Sequence, residues 1–203
     1  NLYGTATFKR GAVEIQDLAS QCVGHTCAPV PGQRWWDACA GAGGKSLHLA
    51  SLMDSKGTVV ATDVREYKLK DLRRRAKRSG APNISTRGWD GKKLRKKQAT
   101  FDGVLVDAPC TGSGTWRRNP DARWSTVPDD VEELAGIQAR LLTNAAFGVR
   151  PGGGLVYATC SMFDRENAEV VESFLASHPE FVLDPFPHPL HEDKPTDGTL
   201  QIW

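Results

Sequence analysis

The sequence predicts a doubly wound α/β domain on a mostly parallel sheet. Three observations carry that expectation. Short apolar or β-branched runs alternate with longer amphipathic segments, the pattern of parallel strands joined by helices. A glycine-rich loop, Cys39-Ala40-Gly41-Ala42-Gly43-Gly44, directly follows the first such run. An acidic residue, Asp63, closes the second run, about 20 positions on, where such folds bind ribose hydroxyls.

The elements follow in order. Residues 1–14 carry little periodicity, and residues 13–23 read as an amphipathic helix before the turn Val30-Pro31-Gly32-Gln33. Residues 34–38 form the first strand, and 45–53 the helix after the glycine loop, closed by Ser55-Lys56-Gly57. Residues 58–62 are a β-branched second strand, and 65–79 a helix stopped by Gly80 and Pro82. Residues 84–86 make a short third strand and 101–106 a fourth. A loop without periodicity spans residues 108–128, and loops of that length in compact domains usually serve function. Residues 129–147 are helical, Pro151-Gly152-Gly153 is a turn, and 154–159 are a fifth strand. Residues 165–177 are a helix, 181–183 a candidate sixth strand, 184–198 a loop, and 200–203 an extended run that stops short. Residues 1–203 are expected to form one domain, with 1–30 a leading segment packed on it.

Composition narrows the class. Of 203 residues, 39% are hydrophobic and 25% charged, ordinary for a globular chain with a core. No apolar stretch approaches the roughly 18 residues of a membrane helix. The start, Asn1-Leu2-Tyr3-Gly4-Thr5, lacks the basic and apolar regions of a signal peptide. It also lacks Met, so the chain is expected to begin inside a longer protein. Five widely spaced cysteines are an odd set for a disulfide framework and point to a reducing, cytoplasmic compartment. Cys22 and Cys27, with His25 between them, lack the further ligands of a zinc site, so no metal is expected. A monomer is expected. The net charge of +2 conceals two basic runs. One holds Lys68, Lys70, Arg73, Arg74, Arg75, Lys77 and Arg78; the other holds Lys92, Lys93, Arg95, Lys96 and Lys97. Such runs are solvated faces or phosphate contacts.

In an open parallel sheet the ligand lies over the carboxyl ends of the strands, where strand order reverses. Here that switch falls between the first and fourth strands. The rule collects residues 39–45, Asp63, Asp107, Cys110 and Cys160 on one rim. The loop is no Walker loop: Gly44-Lys45-Ser46 lacks the first glycine of that frame. It also lacks a strict Gly-x-Gly-x-x-Gly, which favours S-adenosylmethionine over a dinucleotide.

Two thiols at strand ends suggest covalent chemistry. Carbon 5 of cytosine is a poor nucleophile until a thiolate adds at carbon 6. The ring then takes a methyl group from a sulfonium donor, and a base removes the carbon-5 proton so that the enzyme is freed. Cys160, Cys110 and Asp107 supply a thiol, a base and a group for the pyrimidine N3. The plainer alternative is that both cysteines are small buried hydrophobes. Spacing alone does not say which thiol attacks.

Asp37-Ala38-Cys39-Ala40-Gly41-Ala42-Gly43-Gly44-Lys45, Asp107-Ala108-Pro109-Cys110-Thr111-Gly112-Ser113-Gly114, Arg117-Arg118-Asn119-Pro120-Asp121 and Tyr157-Ala158-Thr159-Cys160-Ser161 resemble the RNA 5-methylcytosine methyltransferases of the Sun, or RsmB-like, family. The resemblance covers residues 11–203. It implies a Rossmann-like class I S-adenosylmethionine-dependent methyltransferase acting on rRNA or tRNA. It makes Cys160 the nucleophile and Cys110 the residue that assists release. Cys39, Ala40, Gly41, Ala42, Gly43, Gly44, Lys45, Asp63, Asp90 and Asp107 would contact the cofactor, with Asp63 on the ribose and Asp90 on the adenine edge. Ala42 stands where the family often has proline. An N-terminal RNA-binding domain and a seventh strand, usual in the family, are not evident in this chain.

Two other readings are kept. A DNA cytosine methyltransferase would use Cys110 as nucleophile, and a binding module would retain only a vestigial site. Arg117, Arg118 and Arg123, in the loop after Cys110, are the candidates for holding RNA. The target base must leave any stack to reach Cys160.

Overall fold

The computed structural model describes residues 1–94 and 100–202. Arg95, Lys96 and Lys97 of the second basic run, and Trp203 of the expected last run, lie outside the described residues. Five strands, β1 (Arg34–Asp37), β2 (Thr58–Asp63), β3 (Ile84–Gly88), β4 (Phe101–Asp107) and β5 (Val149–Ala158), form one sheet in the order β3-β2-β1-β4-β5. Every pairing in it is parallel, and strand order reverses between β1 and β4, as expected. The helices are α1 (Ala6–Lys9), α2 (Leu18–Cys27), α3 (Gly44–Leu52), α4 (Glu66–Ser79), α5 (Pro120–Ser125), α6 (Pro128–Ala146) and α7 (Ala168–Ser177).

A parallel sheet needs cover on both faces, because its crossovers lie there. Successive β4 side chains meet the two covers alternately. Val104 and Val106 join Trp36 and Phe101 against Leu142 and Ala145 of α6 and Phe174 of α7. Leu105 turns the other way, to Trp35, Val59 and Leu49, Ala50 and Met53 at α3. On α4, Leu69, Leu72 and Ala76 repeat at helical spacing and pack on Ala61 of β2. Its basic residues lie off that face, and several find acids: Arg73 pairs with Glu66 and Arg74 with Asp71 at the surface, while the part-buried Arg75 and Arg78 pair with Glu14.

Several boundaries differ from expectation. The first long helix begins at Leu18 rather than near residue 13, because the Asp17 side chain accepts the Ala19 N–H at 3.1 Å and caps it. It continues to Cys27 and stops where Ala28 turns left-handed. The leading residues hold a short helix, α1, capped by Thr5. β5 starts at Val149, and the expected turn survives inside it as a bulge, with residues 150–153 opposite Asp102 alone. Arg150 pairs with that aspartate at 2.7 Å. Residues 181–183 form no strand; Phe181 packs on Phe174 instead, and Val182 is exposed. The expected loop at 184–198 contains a hairpin of β6 (Pro187–His188) and β7 (His191–Pro195), in which the rings of His188 and His191 sit 4.9 Å apart. The helix expected from residue 165 is divided into a tight turn, Asp164–Glu166, and α7. The long loop after β4 holds a tight turn, Ser113–Thr115, as well as α5.

Trp36 is wholly buried at the centre of the sheet, and its indole N–H donates to Thr62 Oγ1 at 2.9 Å. Trp36→Ala should lower the unfolding free energy by roughly 3–5 kcal/mol through the cavity it leaves. Urea denaturation checks this, and a loss below about 1 kcal/mol would mean that the site collapses around the gap.

Candidate active site

Because all five strands run parallel, their C-terminal ends share one rim. The glycine loop lies beyond β1, Asp63 ends β2, Asp90 lies beyond β3, Asp107 ends β4 with Cys110 beyond it, and Cys160 lies beyond β5. The structure thus places every expected catalytic and cofactor residue on the same edge.

The glycine loop turns sharply into α3. Gly43 has φ +89 and leaves no room for a side chain, since a Cβ there would lie 2.4 Å from Leu72 Cγ. The Gly41 N–H donates to Asp63 Oδ2 at 2.9 Å, and Arg75 donates to the Ala42 carbonyl at 2.8 Å. Asp63 is almost fully buried. Burial pushes its carboxyl up, but bonds from Arg65 and the Gly41 N–H outweigh that and hold it below the ordinary value. Arg65 grips both Asp63 oxygens, at 2.9 and 3.0 Å, yet its side chain is half exposed. Asp90 is exposed, two residues past β3, and its carboxylate pairs with Lys92 at 2.7 Å. Lys45, one residue into α3, forms an ion pair with Asp107 at 2.7 Å, which joins the loop to the end of β4.

The two thiols meet. Cys110 Sγ and Cys160 Sγ lie 3.3 Å apart, and all five cysteines are free. The Cys160 N–H also points at Cys110 Sγ, at 3.3 Å. Their environments differ. Burial drives the thiols of Cys27 and Cys39 far up. Cys110 is also pushed up, first by its bond to Cys160 and then by burial. Cys160 alone is drawn down, chiefly by the hydrogen bond it shares with Cys110, in which either sulfur can be the donor. It is the exposed member of the pair.

The loops that carry the thiols are bound together. Gly114 N–H donates to the Cys160 carbonyl at 2.9 Å, and Met162 N–H to Ser113 Oγ at 2.7 Å. A Cβ on Gly114 would come within 2.9 Å of that carbonyl, so only glycine allows this approach. Beneath them lies Glu166, wholly buried, which accepts from Thr111 N–H, Thr111 Oγ1, Ser161 Oγ and Gln138 Nε2. Glu166 was not among the expected site residues, and no periodicity marks it. Its one signal in the sequence is an acid shortly after Cys160, ahead of a helix.

The three candidate arginines do not share one environment. Arg117 is exposed, Arg118 pairs with Asp17 at 3.0 Å, and Arg123 lies 5.6 Å from the ring of Trp124, which is 82% exposed. A cleft of about 360 Å³ opens between Thr111, beside Cys110, and the junction of α5 with α6. A larger one lies between α4 and the start of β3, away from the rim. Among the described residues no group of three metal-ligating side chains occurs, and no helix is long and apolar enough to cross a membrane.

Asp37, at the end of β1, is fully buried under the loop. Its Oδ2 accepts from Ser46 Oγ at 2.6 Å, while Oδ1 has no partner.

Comparison with known proteins gives a consistent set of likenesses. The family model described as "16S rRNA methyltransferase RsmB/F" matches residues 25–203. The chain is 42% identical over 183 residues to the probable ribosomal RNA small subunit methyltransferase B of Bacillus subtilis (strain 168), covering 89% of this chain and 41% of that protein. It is 36% identical over 178 residues to the ribosomal RNA small subunit methyltransferase B of Klebsiella pneumoniae (strain 342), covering 87% and 41%. Among solved structures, PH0851 matches with a TM-score of 0.88 and 38% identity over 93% of this chain and 43% of that one. NSun6 from Pyrococcus horikoshii, solved with SFG, matches with a TM-score of 0.77 and 27% identity over 87% and 45%. The chain thus spans about two-fifths of the length of these curated relatives.

Burial pushes the Asp37 carboxyl up to about 7 from the ordinary 3.8. The folded state therefore binds its proton more tightly than the unfolded chain does, and stability falls as pH rises from about 3.8 to about 7. Asp37→Asn should remove that slope, which is of order 1.4 kcal/mol per pH unit at most. Denaturation curves across this range check it, and parallel pH profiles for the two proteins would contradict it.

Proposed function

Because this chain belongs to the 16S rRNA methyltransferase RsmB/F family, we propose that it methylates carbon 5 of a cytosine in small-subunit ribosomal RNA. Its sheet is that of a class I S-adenosylmethionine-dependent methyltransferase. The observation that carries the reading is the 3.3 Å approach of Cys110 and Cys160 at neighbouring strand ends, beside Asp107.

S-adenosylmethionine supplies, when bound, a methyl group on a sulfonium. Asp63 and the backbone of the glycine loop would hold its adenosine, with Asp90 at the adenine edge. The buried Asp63 carboxylate and the close Gly41 N–H suit a ribose. The family relative solved with SFG supports the same ligand class.

The thiols divide the work. Cys160, drawn toward its thiolate, forms a bond to carbon 6, and the electron pair moves to carbon 5. The Lys45 ammonium, held by Asp107, would offset negative charge built on the ring, and Asp107 would accept from the pyrimidine N3–H once N3 has taken a proton from solvent. Once Cys160 is a thioether, the bond that chiefly pushed Cys110 up is gone. Once carbon 5 has used that electron pair to bond the methyl group released from the sulfonium, Cys110 can lose its proton to solvent and take the carbon-5 proton while the sulfur–carbon 6 bond breaks. That step restores the thiol at Cys110 and the thiolate at Cys160. A DNA cytosine methyltransferase reading, with Cys110 as nucleophile, fits less well, because Cys110 is the more buried of the two thiols.

RNA would approach over the loop after Cys110. Arg117 and Arg123 offer phosphate contacts there, and the exposed Trp124 offers a stacking face. Arg118, already paired with Asp17, is the weakest of the three candidates.

Separate replacement of the thiols tests the division of labour. Cys160→Ser should abolish methyl transfer and adduct formation, whereas Cys110→Ser should accumulate a covalent RNA adduct that survives denaturing electrophoresis. An adduct formed by Cys160→Ser would sink the assignment. For the RNA face, replacing Arg117 and Arg123 together by Ala should flatten the salt dependence of RNA affinity. On a single strand the slope should drop by roughly 0.7 for each phosphate that is no longer neutralised. An unchanged slope removes both residues from the interface.

A further inference from the structure

A buried carboxylate is costly unless bonds or a cation compensate it. Glu166 has no exposed surface, and the groups that meet its carboxylate are neutral donors rather than lysine or arginine. Two of them come from Thr111, the residue after Cys110, and a third is the hydroxyl of Ser161, the residue after Cys160. The fourth, Gln138 Nε2 at 2.9 Å, also donates to the carbonyl of Pro109 at 2.9 Å, so the segment bearing Cys110 is held on both sides. The segment bearing Cys160 is held likewise: Ser161 by Glu166, and Thr159 Oγ1 by Asn167 Oδ1 at 2.6 Å. The main-chain carbonyl of Glu166 accepts from Tyr157 OH at 2.6 Å, which fixes Glu166 itself against β5.

We propose that Glu166 is a positioning residue that clamps the two thiol-bearing loops together and so sets the separation of Cys110 and Cys160. A rigid pairing of strands β4 and β5 does not suffice for this. The ladder ends at Asp107 and Ala158, and both thiols lie beyond it, where the path is defined by side-chain bonds together with the single Gly114 N–H to Cys160 carbonyl contact. Glutamine at this position would keep the shape but put an amide N–H₂ where a carboxylate oxygen accepts, so the Thr111 and Ser161 hydroxyls would have to turn from donor to acceptor and the clamp would weaken. The loops should then part, and the 3.3 Å contact between the Cys110 and Cys160 sulfurs should be lost. The consequence for catalysis rests on the cytosine methyltransferase reading; the geometric claim does not.

The experiment is therefore read first without RNA. In the intact protein, the rate of Cys160 alkylation by iodoacetamide is followed against pH, by mass spectrometry of the peptide that carries it. Cys110→Ala sets the reference for an unpaired Cys160. Glu166→Gln should move the inflection up by about one pH unit or more, toward that reference. Thr111→Val, which removes one hydroxyl and keeps the shape, should move it in the same direction by less. Affinity for S-adenosylmethionine should stay within about twofold, while single-turnover methyl transfer falls by about tenfold or more. A merely structural residue would lower the melting temperature without moving the inflection. A folded Glu166→Gln protein with an unchanged inflection overturns the proposal. If that variant does not fold, an unchanged inflection in Thr111→Val does so. If the inflections move as expected but the unsubstituted protein methylates no cytosine, the clamp stands and the reading of the reaction fails.

Discussion

The parallel pairing of β4 with β5 is the constraint on which the site depends. Its register sets Asp107 against Ala158, the last residue of each strand in the ladder. The chain then leaves both strands in the same direction, so Cys110 and Cys160 emerge side by side although fifty positions separate them. Antiparallel pairing would send one of the two to the opposite edge of the sheet. The reversal of strand order between β1 and β4 adds the second half: it opens the crevice beside which the glycine loop, Asp63 and the Lys45–Asp107 pair gather.

Beyond the ladder, polar contacts replace the backbone in holding position. The Glu166 cluster, the Gly114 approach and the Lys45–Asp107 pair tie the loops of three strands to one another. This part of the molecule is costly in solvation terms. Asp37 and Glu166 are both fully buried, and Asp37 keeps one oxygen without a partner. Conflicts of this kind tend to collect at functional sites and are tolerated because the surrounding core is strong. Here that core is the layered packing of Trp36, Phe101, Leu49 and Leu72 around the sheet. The chemical result is asymmetry between two like groups. One thiol is half-buried and pushed up; the other faces solvent and is drawn down.

Most of the sheet was legible because buried parallel strands are short apolar runs and their helices carry a clear period. The rim was legible for the same reason: once the strands are placed, Asp63, Asp107, Cys110 and Cys160 fall at their ends. What escaped was set by contacts distant in sequence or by single caps. Glu166 stands on a tight turn with no periodicity, and its partners lie 55, 28 and 5 positions away. The start of α2 was decided by one side chain, Asp17, although the mixed apolar and polar residues from Val13 onward read as an amphipathic helix beginning earlier. The β6–β7 hairpin is polar and Pro-rich, so its composition reads as loop although its backbone pairs.

The central claim is that Cys160, and not Cys110, forms the bond to cytosine. Fluorine at carbon 5 cannot leave as a proton does, so an RNA carrying 5-fluorocytidine holds the enzyme at the covalent stage. A small-subunit ribosomal RNA transcript made with that nucleotide is incubated with the intact, unsubstituted protein and S-adenosylmethionine. The complex is then digested and its cross-linked peptide sequenced by mass spectrometry. The nucleotide should be found on Cys160; finding it on Cys110 would contradict the account.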